Sequence, residues 1–337
     1  MRITHVIAAM LAVVLIAACT DNGAEDVTGR AVDAGAKGIK MGITPSPING
    51  LVMVAKDEGF FEEEGLDVEF VEFSAGVYAM QAFLAGSLDA TTSGEVPVVF
   101  AAMSGNNFSV ITQIVEKTHG YDRIVALRDG NMTNPSDYFN SKKRTLAIFA
   151  GGGPEFYVYE FLKEYNVSSV ELVNMNPRDM PAALSRGSVD AISVFEPYGF
   201  YAEKNLGNRA ISFKDDEMYS EFFVLSVSEE TISKHPEVAD KLVRALVKAS
   251  EFMEKNPEAA KDIVVKYSKM DKNAVDGTWG VYVFKPALNR KLIEAMNTEV
   301  EWAIATGKVK PESARPNFNA YIYTEALDRA MPGAVSL

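Results

Sequence analysis

Between Leu51 and Gly94 the apolar positions change period three times. From Leu51 an amphipathic helix runs into Gly59 and then Phe60-Phe61. An acidic turn leads to Gly65. Leu66, Val68 and Phe70 then alternate with charged residues, with Val71 and Phe73 beyond, which is the period of a half-buried strand. A second helix ends at Ala85-Gly86, and a short strand runs into Ser93-Gly94-Glu95. The pattern predicts helix–strand–helix–strand, with Gly at two helix ends where a left-handed residue is needed.

The same alternation continues along the chain. Gly38–Ile43 predicts a first strand, with Thr44-Pro45-Ser46-Pro47 as the loop after it, and Phe108–Val115 predicts a later strand. Ile124–Leu127 reads as a crossover into a second lobe. There strands at Thr145–Ala150, Val170–Asn174, Ala191–Phe195 and Arg209–Phe213 alternate with helices at Pro154–Glu164, Met180–Ser185 and Tyr198–Lys204. Phe222–Val227 would cross back. Pro236–Lys255 is strongly periodic, with Val238, Leu242, Leu246 and Phe252 near one face and Pro236 at a helix start. LAGSLDAT (84–91) is echoed by LSRGSVDAIS (184–193): Gly ends a helix and Asp opens a buried strand. This predicts an α/β fold of two similar lobes with parallel sheets.

The run AKDEGFFEEEGLDVE, followed by FLAGSLDA and then Gly94-Glu95, resembles the signature of the solute-binding proteins of nitrate, taurine, sulfonate and thiamine-precursor ABC importers. The resemblance implies a two-lobed periplasmic-binding-protein fold (type II). Each lobe is then an α/β sandwich, with two crossover strands and a ligand cleft between the lobes. It implies lobes at 38–122, 123–222 and, returning to the first lobe with the C-terminal helices, 223–337. It also implies partners: a small-molecule ligand, and a permease with its ATPase.

Residues 1–18 read as a secretory signal, with Arg2 before an uncharged run from Val6 to Ala18, too short for an ordinary membrane span. Ile16-Ala17-Ala18-Cys19 reads as a lipobox. Cys19 is the one cysteine and sits where lipidation needs it, which predicts a lipid anchor on the periplasmic side of the envelope. Thr20–Lys37 is polar and aperiodic, a tether of roughly 60 Å at full stretch. Without the signal, 32 Lys and Arg face 46 Asp and Glu, a net charge of −14. That balance argues against nucleic acid as a partner. A lone cysteine allows no internal disulfide and, with widely spaced His5, His119 and His235, no Cys- or His-based metal site. No cofactor is expected, and a monomer is.

In open α/β sheets ligands bind beyond the strands' C-terminal ends. That rule selects four loops: Thr44–Asn49 with Ser46 and Asn49; Ser93, Gly94 and Glu95; Gly151–Glu155 with Gly152, Gly153 and Glu155; and Phe195, Glu196 and Tyr198. Tyr121, and behind it His119, precede the crossover. Gly151–Glu155 opens a helix, so its free N–H groups suit an anion. In the resembled family this place usually holds Gly-Ser/Thr, a hydroxyl this chain lacks. Glu155 reads either as a ligand group or as a partner of its own helix dipole. Glu95 and Glu196 match the family's Ser-Gly-Glu and Phe-Glu-Pro motifs, and read either as ligand contacts or as caps of helix starts. Together these loops carry three acids and no Lys or Arg. An anion about 5 Å from one carboxylate is disfavoured by roughly 3 kcal/mol at an effective dielectric near 20. The loops therefore predict an amine-bearing, zwitterionic or planar N-heterocyclic ligand, with Phe195 and Tyr198 as stacking surfaces.

Two other classes stay open on sequence. One is an enzyme of the same fold acting on a pyrimidine or other cofactor precursor, with Glu95 and Glu196 as an acid/base pair. Against it, the chain has no G-x-S-x-G and no H-E-x-x-H, and a lipobox suits a tethered receptor. The other is a lipoprotein that reports ligand occupancy to a signalling partner.

Overall fold

The computed structural model describes residues 37–117, 122–215, 218–313 and 315–337. The signal, Cys19, the tether to Ala36, His119 and Tyr121 lie outside the described residues. The chain begins with β1 (Lys37–Ile43), α1 (Gly50–Asp57), a short α2 (Phe60–Glu63), β2 (Leu66–Glu72), α3 (Gly76–Leu84), β3 (Ala90–Gly94), α4 (Glu95–Met103) and β4 (Phe108–Lys117). It crosses to a second sheet through β5 (Arg123–Leu127). There follow α5 (Pro135–Asn140), β6 (Arg144–Ile148), α6 (Gly153–Glu164), β7 (Val170–Asn174), α7 (Met180–Ser185), β8 (Ala191–Val194), α8 (Tyr198–Leu206) and β9 (Ala210–Phe213). β10 (Phe222–Ser228) returns to the first sheet. After it come α9 (Glu229–Lys234), α10 (Pro236–Lys255), α11 (Pro257–Ser268), α12 (Lys272–Thr278), β11 (Tyr282–Val283), α13 (Arg290–Ala305) and α14 (Glu325–Ala330).

The two sheets share one plan. The first runs β2-β1-β3-β10-β4-β11 and the second β7-β6-β8-β5-β9. In each, three strands are parallel, and the strand that arrives from the other lobe, β10 or β5, inserts antiparallel beside the third. The alternation predicts two similar α/β lobes, as found, but the sheets are mixed rather than parallel, because each crossing strand enters from the opposite direction.

The internal echo has a physical basis. Gly86 and Gly187 adopt φ of +77° and +72°, which lets Ser87 N–H reach Ala82 O and Ser188 N–H reach Ala183 O, both at 3.0 Å. These bonds satisfy carbonyls left open at the ends of α3 and α7. Each Asp then ties its strand twice to the middle one of the sheet's three parallel strands. Asp89 N–H donates to Lys40 O (2.9 Å) and its carboxylate accepts from Lys40 N–H (2.8 Å). Asp190 does the same with Thr145, at 3.0 and 2.8 Å.

Core formation follows the periodicities. Leu66 and Val68 are buried while Asp67 and Glu69 face water. α10 buries Val238, Leu242, Leu246, Ala249 and Met253. Phe252 is only half-buried beside this stripe, its ring edge-on to Phe60 at 6.3 Å. The second sheet is packed on both faces, with Met180, Leu184 and Ile192 in one cluster and Tyr138, Phe139, Phe161 and Phe213 in the other. Among the described residues no helix is long and apolar enough to cross a membrane.

Candidate functional site

A cavity lies where the C-terminal ends of the two sheets face each other. The first lobe lines it with Thr44, Ser46 and Ile48 after β1, Ala75–Val77 at the start of α3, and Gly94 and Pro97 at the start of α4. The second lobe supplies Phe149 after β6, Gly152–Pro154 at the start of α6, and Phe195 after β8. Lys117, Glu221 and Phe223 come from the segments that cross between the lobes. The volume open to the centre of a water-sized sphere is about 40 Å³.

Three helices begin at this cavity, and none has a side-chain cap. Their N-cap residues, Ala75, Gly94 and Gly152, are extended and carry a methyl group or nothing. First-turn N–H groups there have no intrahelical partner, and the helix dipoles add partial positive charge. The Thr44 and Ser46 hydroxyls, in residues 7% and 3% exposed, have no hydrogen-bond partner among the described residues.

The charges in the cavity are Lys117 and Glu221. Lys117 N–H donates to Glu221 O at 2.8 Å, so the two crossing segments lie side by side. The Lys117 ammonium pairs with the Glu221 carboxylate and lies 3.8 Å from Asp122. Burial pushes the ammonium down to about 8, while Asp122 and Glu95 pull it up. The Glu221 carboxylate also rests against two helix starts. A Cβ on Gly94 would lie 2.7 Å from Glu221 Oε1, and one on Gly153 2.7 Å from the carboxyl carbon. Only glycine at both places leaves room for it.

Of the residues singled out from sequence, Ser46, Gly94, Gly152, Gly153 and Phe195 line the cavity. Asn49 is wholly buried behind Thr44, its amide donating to Thr44 O at 2.8 Å. Ser93 is buried under Gly76, whose Cβ position is 3.1 Å from Ser93 Cα. Tyr198 stands edge-on to Phe195 at 5.3 Å and packs into the second lobe's core.

The three acids lie elsewhere, and the electrostatic argument built on them changes. Glu95 is fully buried, accepting from the Tyr219 hydroxyl at 2.7 Å and from Phe222 N–H at 3.0 Å. Burial pushes its carboxyl up to about 7, against its own backbone N–H, Tyr219 and Lys117. Glu155 accepts from Gly151 N–H at 2.8 Å and pairs with Lys308. Glu196 pairs with Arg123 and accepts from Phe200 N–H at 3.0 Å. Its carboxyl is raised by burial and held back by Arg123. Buried carboxylates take partners because an unpaired one is costly, and none of the three is among the cavity's lining residues. A cation, Lys117, does line it, where the loops alone predicted none. The rule of loops after strands does not reach Lys117 and Glu221, which sit on the crossing segments. The signal was present: Lys117 is a charge closing the long apolar strand FSVITQIVEK, and Glu221 stands just ahead of the apolar strand FFVLSVS. Phe149 and Phe223 were passed over as ordinary strand residues.

Among the described residues no group of three or more His, Cys, Asp or Glu is arranged to hold a metal ion.

Comparison with known proteins gives concordant results. A Bacillus subtilis (strain 168) protein assigned as an aliphatic sulfonates-binding protein is 24% identical over 269 residues, 78% of this chain and 77% of the relative. Two solved structures share the fold. One is a ligand-binding component of an ABC-type import system from Staphylococcus aureus, with TM-score 0.73 at 17% identity, over 88% of this chain and all of that one. The other is the alkanesulfonate-binding protein SsuA of Xanthomonas axonopodis pv. citri bound to MOPS, with TM-score 0.71 at 18% identity, over 87% of this chain and all of that one. The model of the NMT1-like family matches residues 33–267, spanning both sheets and the cavity between them, and the chain belongs to that family.

Proposed function

We propose that this chain is the solute-binding protein of an ABC importer, held on the periplasmic side of the envelope by a lipid on Cys19, and that it captures a small organic zwitterion by closing its lobes. The observation that carries the ligand class is the cavity's pair of opposite charges, Lys117 and Glu221, set among uncapped helix starts between two lobes. Such a pair offers an ammonium for a ligand's acid and a carboxylate for its amine. Phe149, Phe195 and Phe223 add apolar walls. Similarity to sulfonate-binding proteins and to a component of an ABC-type import system supports the transport role.

A thermal-shift panel tests this. Taurine, betaines, amine-free alkanesulfonates, polyamines, pyrimidines and aromatic acids are offered singly, and hits are checked for turnover. A zwitterion at 100 times its Kd adds about 2.7 kcal/mol of stability and is recovered unchanged. A panel in which only pyrimidines shift the melting point moves the ligand to the planar heterocycles. Chemical conversion of a hit defeats the transport reading.

A further inference from the structure

The geometry points to Glu221 as an internal anion that fills the seat for a ligand's acidic group, so that solutes are admitted only if they bring an ammonium of their own. This rests on the zwitterion reading above and deepens it. The seat is built from the starts of α4 and α6, nine and twelve residues long, capped by Gly94 and Gly152 with no side chain. Lys117 supplies the full positive charge. Thr44 and Ser46, whose hydroxyls are buried and without a hydrogen-bond partner among the described residues, line the same cavity. Yet the seat already holds a carboxylate. Glu221 lies against Lys117, Gly94 and Gly153 at once, at distances that any Cβ on either glycine would violate.

A solute's acidic group can reach Lys117 and the helix starts only by displacing that carboxylate. An amine-free anion then leaves two negative charges to share one buried ammonium, in a cavity whose other walls include Phe149, Phe195 and Phe223. A zwitterion restores the balance. Its acid takes Lys117 and the helix N–H groups, and its ammonium takes Glu221. Lys117 Nζ already stands 5.9 Å from the Phe223 ring centre, so an ammonium is compatible with these walls. Glu221 is thus a specificity-determining residue that rejects simple anions from a seat otherwise shaped for them.

Taurine and ethanesulfonate differ only in the amine, and calorimetric titration of the full chain with both reads the effect. The wild type prefers taurine by 100-fold or more. Glu221→Gln narrows that preference below tenfold, chiefly by tightening ethanesulfonate at least tenfold. Glu221→Asp, which keeps the charge but withdraws it from the seat, gains ethanesulfonate to a smaller degree and serves if the Gln variant does not fold. Equal affinities in the wild type, or no gain of ethanesulfonate in a folded variant, overturn the inference. A wild type that binds neither sulfonate while the variants gain ethanesulfonate sustains the role of Glu221 and defeats the zwitterion reading instead.

Discussion

Glu95 and Glu299 form a buried acidic pair bridged by one hydroxyl. Tyr219 donates to Glu95 at 2.7 Å and lies 3.3 Å from Glu299, and both acids are wholly buried. Burial first, and then the Glu95 charge, hold the Glu299 carboxyl well above the usual carboxylate range. A raised carboxyl keeps its proton in the folded chain after the unfolded chain has lost it. Stability contributed by that proton is therefore full below about pH 4.5 and falls as pH rises toward the folded value. Glu299→Gln removes one of the two titrating groups while keeping most of its volume. The variant gains on the wild type as pH rises above about 4.5, because the wild type then loses the stability that the Glu299 proton supplies. Urea unfolding at several pH values measures this, and parallel stability curves for the two proteins contradict it. Sequence placed Glu95 at a site by its neighbours Ser93 and Gly94. Its actual partners are Tyr219, Phe222 and Glu299, more than a hundred residues downstream, and nothing local announces them.

At the scale of elements the fold was legible because the signals are local. Period-2 alternation in β2, the Pro at the start of α10 and the paired GS-x-DA turns each report a backbone requirement within a few residues. The site was only half legible for the same reason. Strand-end loops carrying Ser46, Gly94, Gly152, Gly153 and Phe195 follow a topological rule, whereas the charges come from β4 and the residue before β10, strands that meet only after the chain has built the whole second sheet. The repeated turn offers a test of its own. Gly86 and Gly187 hold φ near +75° with no atom closer than 4.0 Å to a Cβ built on either. Alanine there is opposed by backbone strain alone, about 1 kcal/mol at each site. Because one turn lies in each lobe, the two costs should add within about 0.5 kcal/mol. Gly86→Ala, Gly187→Ala and the double variant, compared by urea unfolding, check this. A double variant much less stable than the sum would mean that the echoed turns are coupled through the molecule.

Across the whole molecule, contacts between the lobes differ in chemistry from one side to another. On one flank Lys204 of α8 stands 3.4 Å from Asp271, just before α12, and Phe200 packs under Gly277. On another, Trp302 of α13 meets Phe156 of α6 at 5.4 Å, and Lys308 pairs with Glu155. At the mouth of the cavity, α3 of the first lobe touches the second directly. Ala75 joins the second lobe's core, Val77 faces Gly151 at 3.6 Å from its Cβ position, and Tyr78 stands edge-on to Phe149 at 6.0 Å. If the lobes part, as proposed, these contacts of α3 with the second lobe break. Tyr78 is 38% exposed and is not among the residues lining the cavity, so it touches no solute held there. It acts on binding only through the closed form. An aromatic pair of this geometry contributes about 0.5–1.5 kcal/mol, so Tyr78→Ala should weaken solute binding by roughly two- to tenfold. Stopped-flow release should show the loss mainly as faster dissociation, because the contact forms after the solute is seated. Unchanged affinity and release in Tyr78→Ala would mean that the mouth is fixed and that solutes reach Lys117 and Glu221 without lobe movement.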